Sequence, residues 1–291
     1  MKVGVIGPGA MGCLFAARLY KADADVTLID YKPDRAQRLS AAGITVEEAE
    51  GTYTAHPKVT TATPSGLDLV IVLVKAYSTI RLNLNSKTPV LTLQNGLGNV
   101  ETLSSLVGSA NLLAGVTSEA VTLLGEGHVK HVAPGFTRFG SWTSCPMTPA
   151  AKVLSQAGFT VELTESPGQI IWEKVAVNAG INPITALLNI PNGEILKIPE
   201  VRQLMRDLVV EAVKVASTEG YRFEHSVVEV AEKTCEDTAE NVSSMLQDIR
   251  AGKQTENDAI SGEIVRRAQL SALPTPRTRV IWQLVRGLER R

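Results

Sequence analysis

The feature that most constrains this chain lies near its start. An apolar run, Lys2 to Ile6, meets Gly7-Pro8-Gly9-Ala10-Met11-Gly12 and then an amphipathic stretch to Tyr20. A short run of β-formers, a GxGxxG turn and a helix-period pattern describe a strand–turn–helix unit. In such a unit the first glycine makes the tight turn and the second lets backbone approach a pyrophosphate. The third allows close helix–strand packing, and the helix N-terminus offers N–H groups and a positive dipole. The alternative, a plain glycine turn, leaves unexplained the strand before it, the helix after it, and the acid Asp30 that ends the next apolar run, Val26 to Ile29. This half is therefore expected to bind a dinucleotide through Gly7, Pro8, Gly9, Ala10, Met11 and Gly12.

The rest of the first half repeats the alternation. Pro33 to Ala42 reads as a helix stopped by Gly43, and residues 44–61 read as a hairpin turning at Gly51. Asp68 to Lys75 and Pro89 to Leu93 are further buried runs, each followed by polar or helical sequence. Strands alternating with helices predict a doubly wound parallel sheet covered on both faces. From Leu112 the runs lengthen and are broken at Gly125-Glu126-Gly127, a second expected hairpin. Beyond Phe159 to Leu163 the sequence Ser166-Pro167-Gly168 breaks the chain. Apolar residues then recur at three- and four-residue spacing over 201–219, 227–249, 256–270 and 277–288. The expected architecture is an α/β, Rossmann-type domain over 1–166 followed by an all-helical domain over 167–291. A length of 291 residues suits that division at roughly 150 residues per domain.

Composition excludes several classes of function. Lys plus Arg is 29 and Asp plus Glu is 30, a net charge of −1. This argues against an extended nucleic-acid surface, which needs clustered cations to displace counterions, but permits a local basic pocket. The longest apolar run, Leu69 to Val74, is far short of the roughly 20 residues that span a bilayer. The N-terminus shows no signal-peptide pattern. Cys13, Cys145 and Cys235 are odd in number and far apart, with neither CxxC nor metal spacing, which predicts a reducing, cytoplasmic setting.

The choice of dinucleotide stays open on these residues. Asp30 stands where a carboxylate accepts from the adenosine ribose hydroxyls, which favours NAD. Lys32 and Arg35 follow closely and would suit a 2′-phosphate. Equally, Lys32, Arg35 and Arg38 would make an ordinary solvated helix face. Lys75 and Asn95 end successive apolar runs, at the carboxyl edge of the sheet where ligands bind in open α/β folds, and are expected to contact the cofactor.

The stretch Trp172 to Leu187 is the most informative. Lys174, Asn178 and Asn182 are four apart, so on a helix they share one face among Val175, Ala176, Val177, Ala179 and Ile181. An internally satisfied polar row is the bland alternative. Burying an ammonium without a partner is costly, however, so a cleft is expected, in which a partly desolvated lysine acts as proton donor near neutral pH. Thr255-x-x-Asp258 reads as a capping box that puts Glu256 in a first helical turn. On spacing alone Glu256 is a dipole-favouring carboxylate and Ser244 a plain helix hydroxyl. The histidines His56, His128, His131 and His225 form no ligand or triad pattern, and no metal constellation stands out.

Together, GPGAMG at 7–12, VKAYS at 74–78, QNGLG at 94–98, WEKVAVNAGINPITALLNIPNGE at 172–194 and SSMLQDIRAGKQTEND at 243–258 resemble the ketopantoate reductases (2-dehydropantoate 2-reductases). The resemblance runs along essentially the whole chain. It implies a doubly wound domain, an all-helical domain and an active site in the cleft between them. It implies NADPH (NADP) as cofactor, bound at 7–12 with Lys75, Asn95, the strand around Val121 and Glu256 in contact. NAD is not excluded, because of Asp30. It makes Lys174 the proton donor and gives substrate binding to Lys174, Asn178, Asn182, Asn192, Ser244 and Asn95. The implied reaction is reduction of the C2 ketone of 2-dehydropantoate to pantoate, a step of pantothenate biosynthesis. The sequence departs from the family pattern at three places. Asp30-Tyr31-Lys32 replaces an arginine after the second strand, with Lys32 as its substitute. Asn257 stands where an aliphatic residue is common, and Ser261 where asparagine is. Two other readings stand beside this one: a reductase of another 2-keto acid, and a cofactor sensor without catalysis, against which the presence of both Lys174 and Glu256 argues. The expected partner is a small keto acid. The apolar stripes of the helical half suit either a homodimer seam or intramolecular core.

Overall fold

A computed structural model of the chain describes residues 1–290. The first of its two compact units comprises Met1–Gln94 and Asn99–Pro167. Its elements run β1 (Lys2–Ile6), α1 (Ala10–Lys21), β2 (Asp25–Ile29), α2 (Pro33–Ala42), β3 (Ile44–Glu48), β4 (Gly51–Ala55), β5 (Lys58–Thr60), β6 (Leu69–Val72) and β7 (Val90–Thr92). They continue with α3 (Asn99–Val107), β8 (Leu112–Thr117), β9 (Ala120–Gly125), β10 (His128–Ala133), β11 (Phe136–Ser141), α4 (Thr148–Gln156) and β12 (Thr160–Leu163).

Eight of these strands form one sheet in the order β12-β11-β8-β7-β6-β1-β2-β5. Every neighbouring pair is parallel except β8 with β11. The chain winds from β1 through β2 to β5 and then returns to the other side of β1 as β6. The strand order thus reverses between β1 and β6, and ligands bind at the carboxyl ends of such a switch point. The central strands are apolar on both faces, as parallel strands under two helical layers must be: Val3, Val5, Leu28, Ile71, Leu91 and Leu113 are all buried. On α1, Leu14, Phe15 and Leu19 are fully buried, and Phe15 stacks on Phe159 at 4.2 Å between ring centroids.

The two hairpins expected from the sequence exist, β3–β4 and β9–β10, but they are not separate. A parallel pairing of β3 with β10 joins them into a second sheet, β4-β3-β10-β9. A partly buried polar chain ties it to α1. Arg18 reaches Glu48 at 2.8 Å and His131 Nδ1 at 3.0 Å, and His131 Nε2 lies 2.6 Å from Glu119. The structure also inserts the helix α4 where the sequence pattern gave only strands.

The second unit runs from Gly168 to the end of the described residues and includes Asn95–Gly98, a tetrapeptide that the expected division at 166 leaves with the first. It holds α5 (Pro167–Leu188), α6 (Glu194–Lys197), α7 (Pro199–Thr218), α8 (Val227–Asp237), α9 (Ser244–Arg250), a π-helical turn at Asp258–Gly262, α10 (Glu263–Leu270) and α11 (Pro276–Leu288). On α7, Met205, Leu208, Val209, Ala212, Val215 and Ala216 line one buried stripe. Gly180 of α5 faces it, and a β-carbon there would stand 2.7 Å from a Val209 methyl. The single helix expected over 227–249 is broken instead. Thr238 bonds back to the Thr234 carbonyl, and Ser243 caps α9 by accepting from the Leu246 N–H at 3.1 Å, the competition with helix that such hydroxyls offer. Among the described residues, no helix is long and apolar enough to cross a membrane.

Candidate active site

In the first unit the glycine turn sits at the carboxyl end of β1. Gly7 has φ +107°, and its N–H donates to the Ile29 carbonyl at 3.1 Å. A β-carbon on Gly7 would meet the Val74 backbone nitrogen at 2.9 Å, and one on Gly12 the Gly7 carbonyl oxygen at 1.8 Å. Gly9 is different: nothing lies within 4 Å of its absent β-carbon. It is the N-cap of α1, with no side-chain capping bond and no acid in the first turn. Two glycines are thus demanded by the protein's own packing, while the third leaves open space over a bare helix N-terminus. That cradle fits the pyrophosphate of a dinucleotide. Pro8 is buried, and Met11 packs against the core of the unit.

Asp30 lies at the next strand end with no exposed side-chain surface. Both its oxygens are engaged: Arg35 Nε donates at 2.5 Å, Arg35 Nη2 at 2.6 Å and the Lys32 backbone N–H at 3.1 Å. The Lys32 ammonium and the Arg35 guanidinium lie 5.7 and 5.6 Å from the Tyr31 ring centroid. Arg38 is committed elsewhere, gripping Glu126 through two bonds of 2.7 and 2.9 Å.

Lys75 follows β6 and opens a 3₁₀ turn over Ala76–Arg81. Gln94, which sequence reasoning passed over, holds that turn: its amide donates to the Val74 carbonyl at 2.9 Å and to Thr79 Oγ1 at 2.8 Å. Thr79 in turn donates to Asn99 at 3.0 Å. The available signal was position alone, since Gln94 lies two residues past the end of β7 and directly before Asn95. Val121 belongs to β9 of the second sheet and packs against the unit's core.

The second unit assembles the side-chain chemistry. Lys174, Asn178 and Asn182 rise along α5. Lys174 is partly buried. Burial pushes its ammonium down to about 8, and the nearby Glu256 carboxylate opposes that fall. Glu256 is itself only 6% exposed, and Asn95 donates to its Oε2 at 3.3 Å. Asn95 is placed by its own tetrapeptide, in which the Leu97 N–H donates to the Ala259 carbonyl at 2.8 Å and Gly96, at φ +86°, lies against Ala259. So the π-helical turn that carries Ala259 also seats Asn95; π-turns frequently mark functional sites.

Asn192, between α5 and α6, donates from its amide to Thr238 Oγ1 at 2.9 Å, and its backbone N–H donates to the Asn241 carbonyl at 3.0 Å. Its Oδ1 is buried without a hydrogen-bond partner. Ser244 is exposed at the first turn of α9. Its neighbour Ser243 lies 2.7 Å from Thr185 Oγ1 and so ties α9 to α5.

The capping box does not form. Thr255 donates both its N–H and its hydroxyl to Glu289, at 2.9 and 2.5 Å, and Asp258 accepts from Trp282 Nε1 at 2.7 Å instead of bonding back to Thr255. Tertiary partners outcompete the local box. Asn257 is fully buried, its amide donating to the Trp282 carbonyl at 3.0 Å, and Ser261 is buried as well. Both family departures on this segment are therefore core positions.

A desolvated lysine on α5 near the Glu256 carboxylate, which the Asn95 amide bonds, can hold a carboxylate substrate and deliver a proton to an oxygen. The family profile described as ketopantoate reductase PanE/ApbA matches residues 3–144, and its C-terminal counterpart matches residues 168–289. The chain belongs to the ketopantoate reductase family. A 2-dehydropantoate 2-reductase of Halobacterium salinarum is 34% identical, covering 100% of this chain and 99% of its own. The crystal structure of a PanE/ApbA family ketopantoate reductase from Ralstonia eutropha superposes with a TM-score of 0.91 at 31% identity over 99% of this chain and 98% of that one. A ternary structure of D-mandelate dehydrogenase with NADH and anilino(oxo)acetate reaches 0.93 at 26% identity, with 99% and 98% covered. Family membership fits the Rossmann-type strand order and makes the chain an oxidoreductase that uses a nicotinamide cofactor.

Proposed function

We propose that this protein reduces 2-dehydropantoate to pantoate with NADPH, and that Lys174 is the proton donor. The observation that carries the reading is the Lys174–Glu256–Asn95 arrangement, in which burial leaves the lysine titrating near 8 while a carboxylate keeps it partly charged. Bound at the glycine turn, the cofactor would supply hydride to the C2 ketone. Lys174 Nζ protonates the alkoxide as charge develops on the C2 oxygen, and its ammonium stabilises that charge, an effect worth several kcal/mol in a desolvated site. Asn178, Asn182, Asn192 and Ser244 bind the carboxylate and hydroxyls of the keto acid. Glu256 and Asn95 set the charge and place of Lys174, and Lys75 and Val121 contact the cofactor.

NADPH is supported by the Arg35 guanidinium. An arginine has five N–H donors; Asp30 uses two, so three remain for a 2′-phosphate, with Lys32 alongside. A second reading has its own support: Asp30 stands where ribose hydroxyls are accepted, and a D-mandelate dehydrogenase bound to NADH is 26% identical, which favours NADH and another 2-keto acid. Initial rates with 2-dehydropantoate and phenylglyoxylate, each with NADPH and NADH, separate the two. Fast NADPH oxidation on 2-dehydropantoate is the expected result. Turnover confined to the aromatic keto acid would overturn the substrate, and a clear NADH preference would overturn the cofactor.

A further inference from the structure

Glu256 has no secondary structure of its own to fix it. It sits between α9 and the π-helical turn, and the residues around it are each tied to α11 and the residue that follows it. Thr255, 2% exposed, gives both its donors to the same Glu289 oxygen, at 2.9 and 2.5 Å. The Thr255 hydroxyl then accepts from the Asn257 N–H at 3.0 Å. Asn257 bonds the Trp282 carbonyl at 3.0 Å, and Trp282 bonds Asp258 at 2.7 Å. The Arg286 guanidinium lies 3.8 Å from the same Asp258 oxygen. The Glu256 carbonyl closes the turn by accepting from the Ala259 and Ile260 N–H groups, both at 3.0 Å.

We propose that Glu289 is a positioning residue for the reaction: by accepting both donors of Thr255 it fixes the backbone from which Glu256 reaches Lys174 and Asn95. The role rests on the functional reading above only in that Lys174 is the proton donor there. Glu289 acts at one remove, through the residue before Glu256. Glu256 is the charged group that acts on Lys174, so misplacing Glu256 shows as a fall in the pH at which the lysine titrates.

The test reads that titration directly, without turnover. Trace acetylation of the full-length protein with acetic anhydride from pH 5 to 11, followed by mass spectrometry of the Lys174 peptide, gives the midpoint at which the amine becomes reactive. Glu256→Gln is expected to lower the midpoint by about one pH unit or more, the size of a nearby opposite charge. Glu289→Ala is expected to lower it in the same direction, and Glu289→Gln, which still presents an acceptor to Thr255, to restore it. Thr255→Val removes one donor only and should give an intermediate fall, which keeps the test open if Glu289→Ala does not fold. A wild-type midpoint in both Glu289→Ala and Thr255→Val overturns the proposal, as does a Glu256→Gln variant that leaves Lys174 unmoved. Glu289→Ala and Thr255→Val should also move the alkaline limb of kcat, and Glu289→Gln should restore it. If the wild type reduces no keto acid, the functional reading fails alone and the acetylation midpoints still decide the role of Glu289.

Discussion

The glycine turn of the first unit and the lysine helix of the second solve the problem of building a site in opposite ways. At the turn the chemistry is all backbone. Gly7 and Gly12 are forced by contacts of 2.9 and 1.8 Å within the protein, and Gly9 leaves the end of α1 open. On α5 the chemistry is all side chain, and a regular helix supplies only the four-residue spacing that aligns Lys174, Asn178 and Asn182. A backbone site is made by leaving atoms out. A side-chain site is made by burial, which drags the lysine toward 8 against Glu256. Substitutions should therefore fail differently in the two places, through packing in one and through charge in the other.

The sharpest test is Lys174→Ala. Turnover should fall by ~10²–10⁴-fold, the usual worth of a general acid, while dinucleotide binding, measured by fluorescence quenching, stays intact. Loss of both together would break the distinction between the two sites. In the wild type the acid must be charged, and its folded titration lies below the ordinary lysine value. Activity should hence hold below about pH 8 and decline above it, whereas a plateau to pH 10 in a kcat profile would show that another group donates the proton.

Next in size is Arg35→Ala. Freeing Asp30 from its two guanidinium bonds should cut the NADPH-to-NADH ratio of kcat/KM by ~10–100-fold, the value of a charge-assisted bond or two. An unchanged ratio would pass the assignment to Lys32. The paired glycines come third. Gly12→Ala places a methyl against the Gly7 carbonyl and should cost ~1–3 kcal/mol of overpacking, seen as a lower Tm. Gly9→Ala, with open space around it, should keep its Tm and weaken only dinucleotide binding. Equal melting of the two variants would show that the turn is not divided as described. The smallest effect expected is that of Ser243→Ala, ~1 kcal/mol for a lost helix cap, detectable by denaturant midpoint with activity retained.

What the sequence disclosed follows the same division. A GxGxxG between a strand and a helix is local, so its residues could be read in place, as could the Lys174 row from its spacing. The parallel pairing of β3 with β10 could not, because nothing local in either hairpin names a partner some eighty residues away. The capping box failed for a related reason: Thr255 and Asp258 carry the right pattern, but Trp282 on α11 and Glu289 just after it compete for the same groups. The Asp30–Arg35 pair lay within sight, five residues apart. Whether the carboxylate was free or gripped depended on a rotamer that sequence does not encode.

The tetrapeptide Asn95–Gly98 packs with a unit from which its flanking residues are absent. The chain cannot therefore be parted into two self-sufficient halves at any one peptide bond. A gene fragment beginning at Gly168 would encode a helical body whose Ala259 carbonyl has lost the N–H of Leu97 and whose Glu256 has lost the amide of Asn95. Exchange of halves between relatives by recombination would inherit that mismatch, so the two parts of such a protein are bound to change together even where each looks like a module on its own.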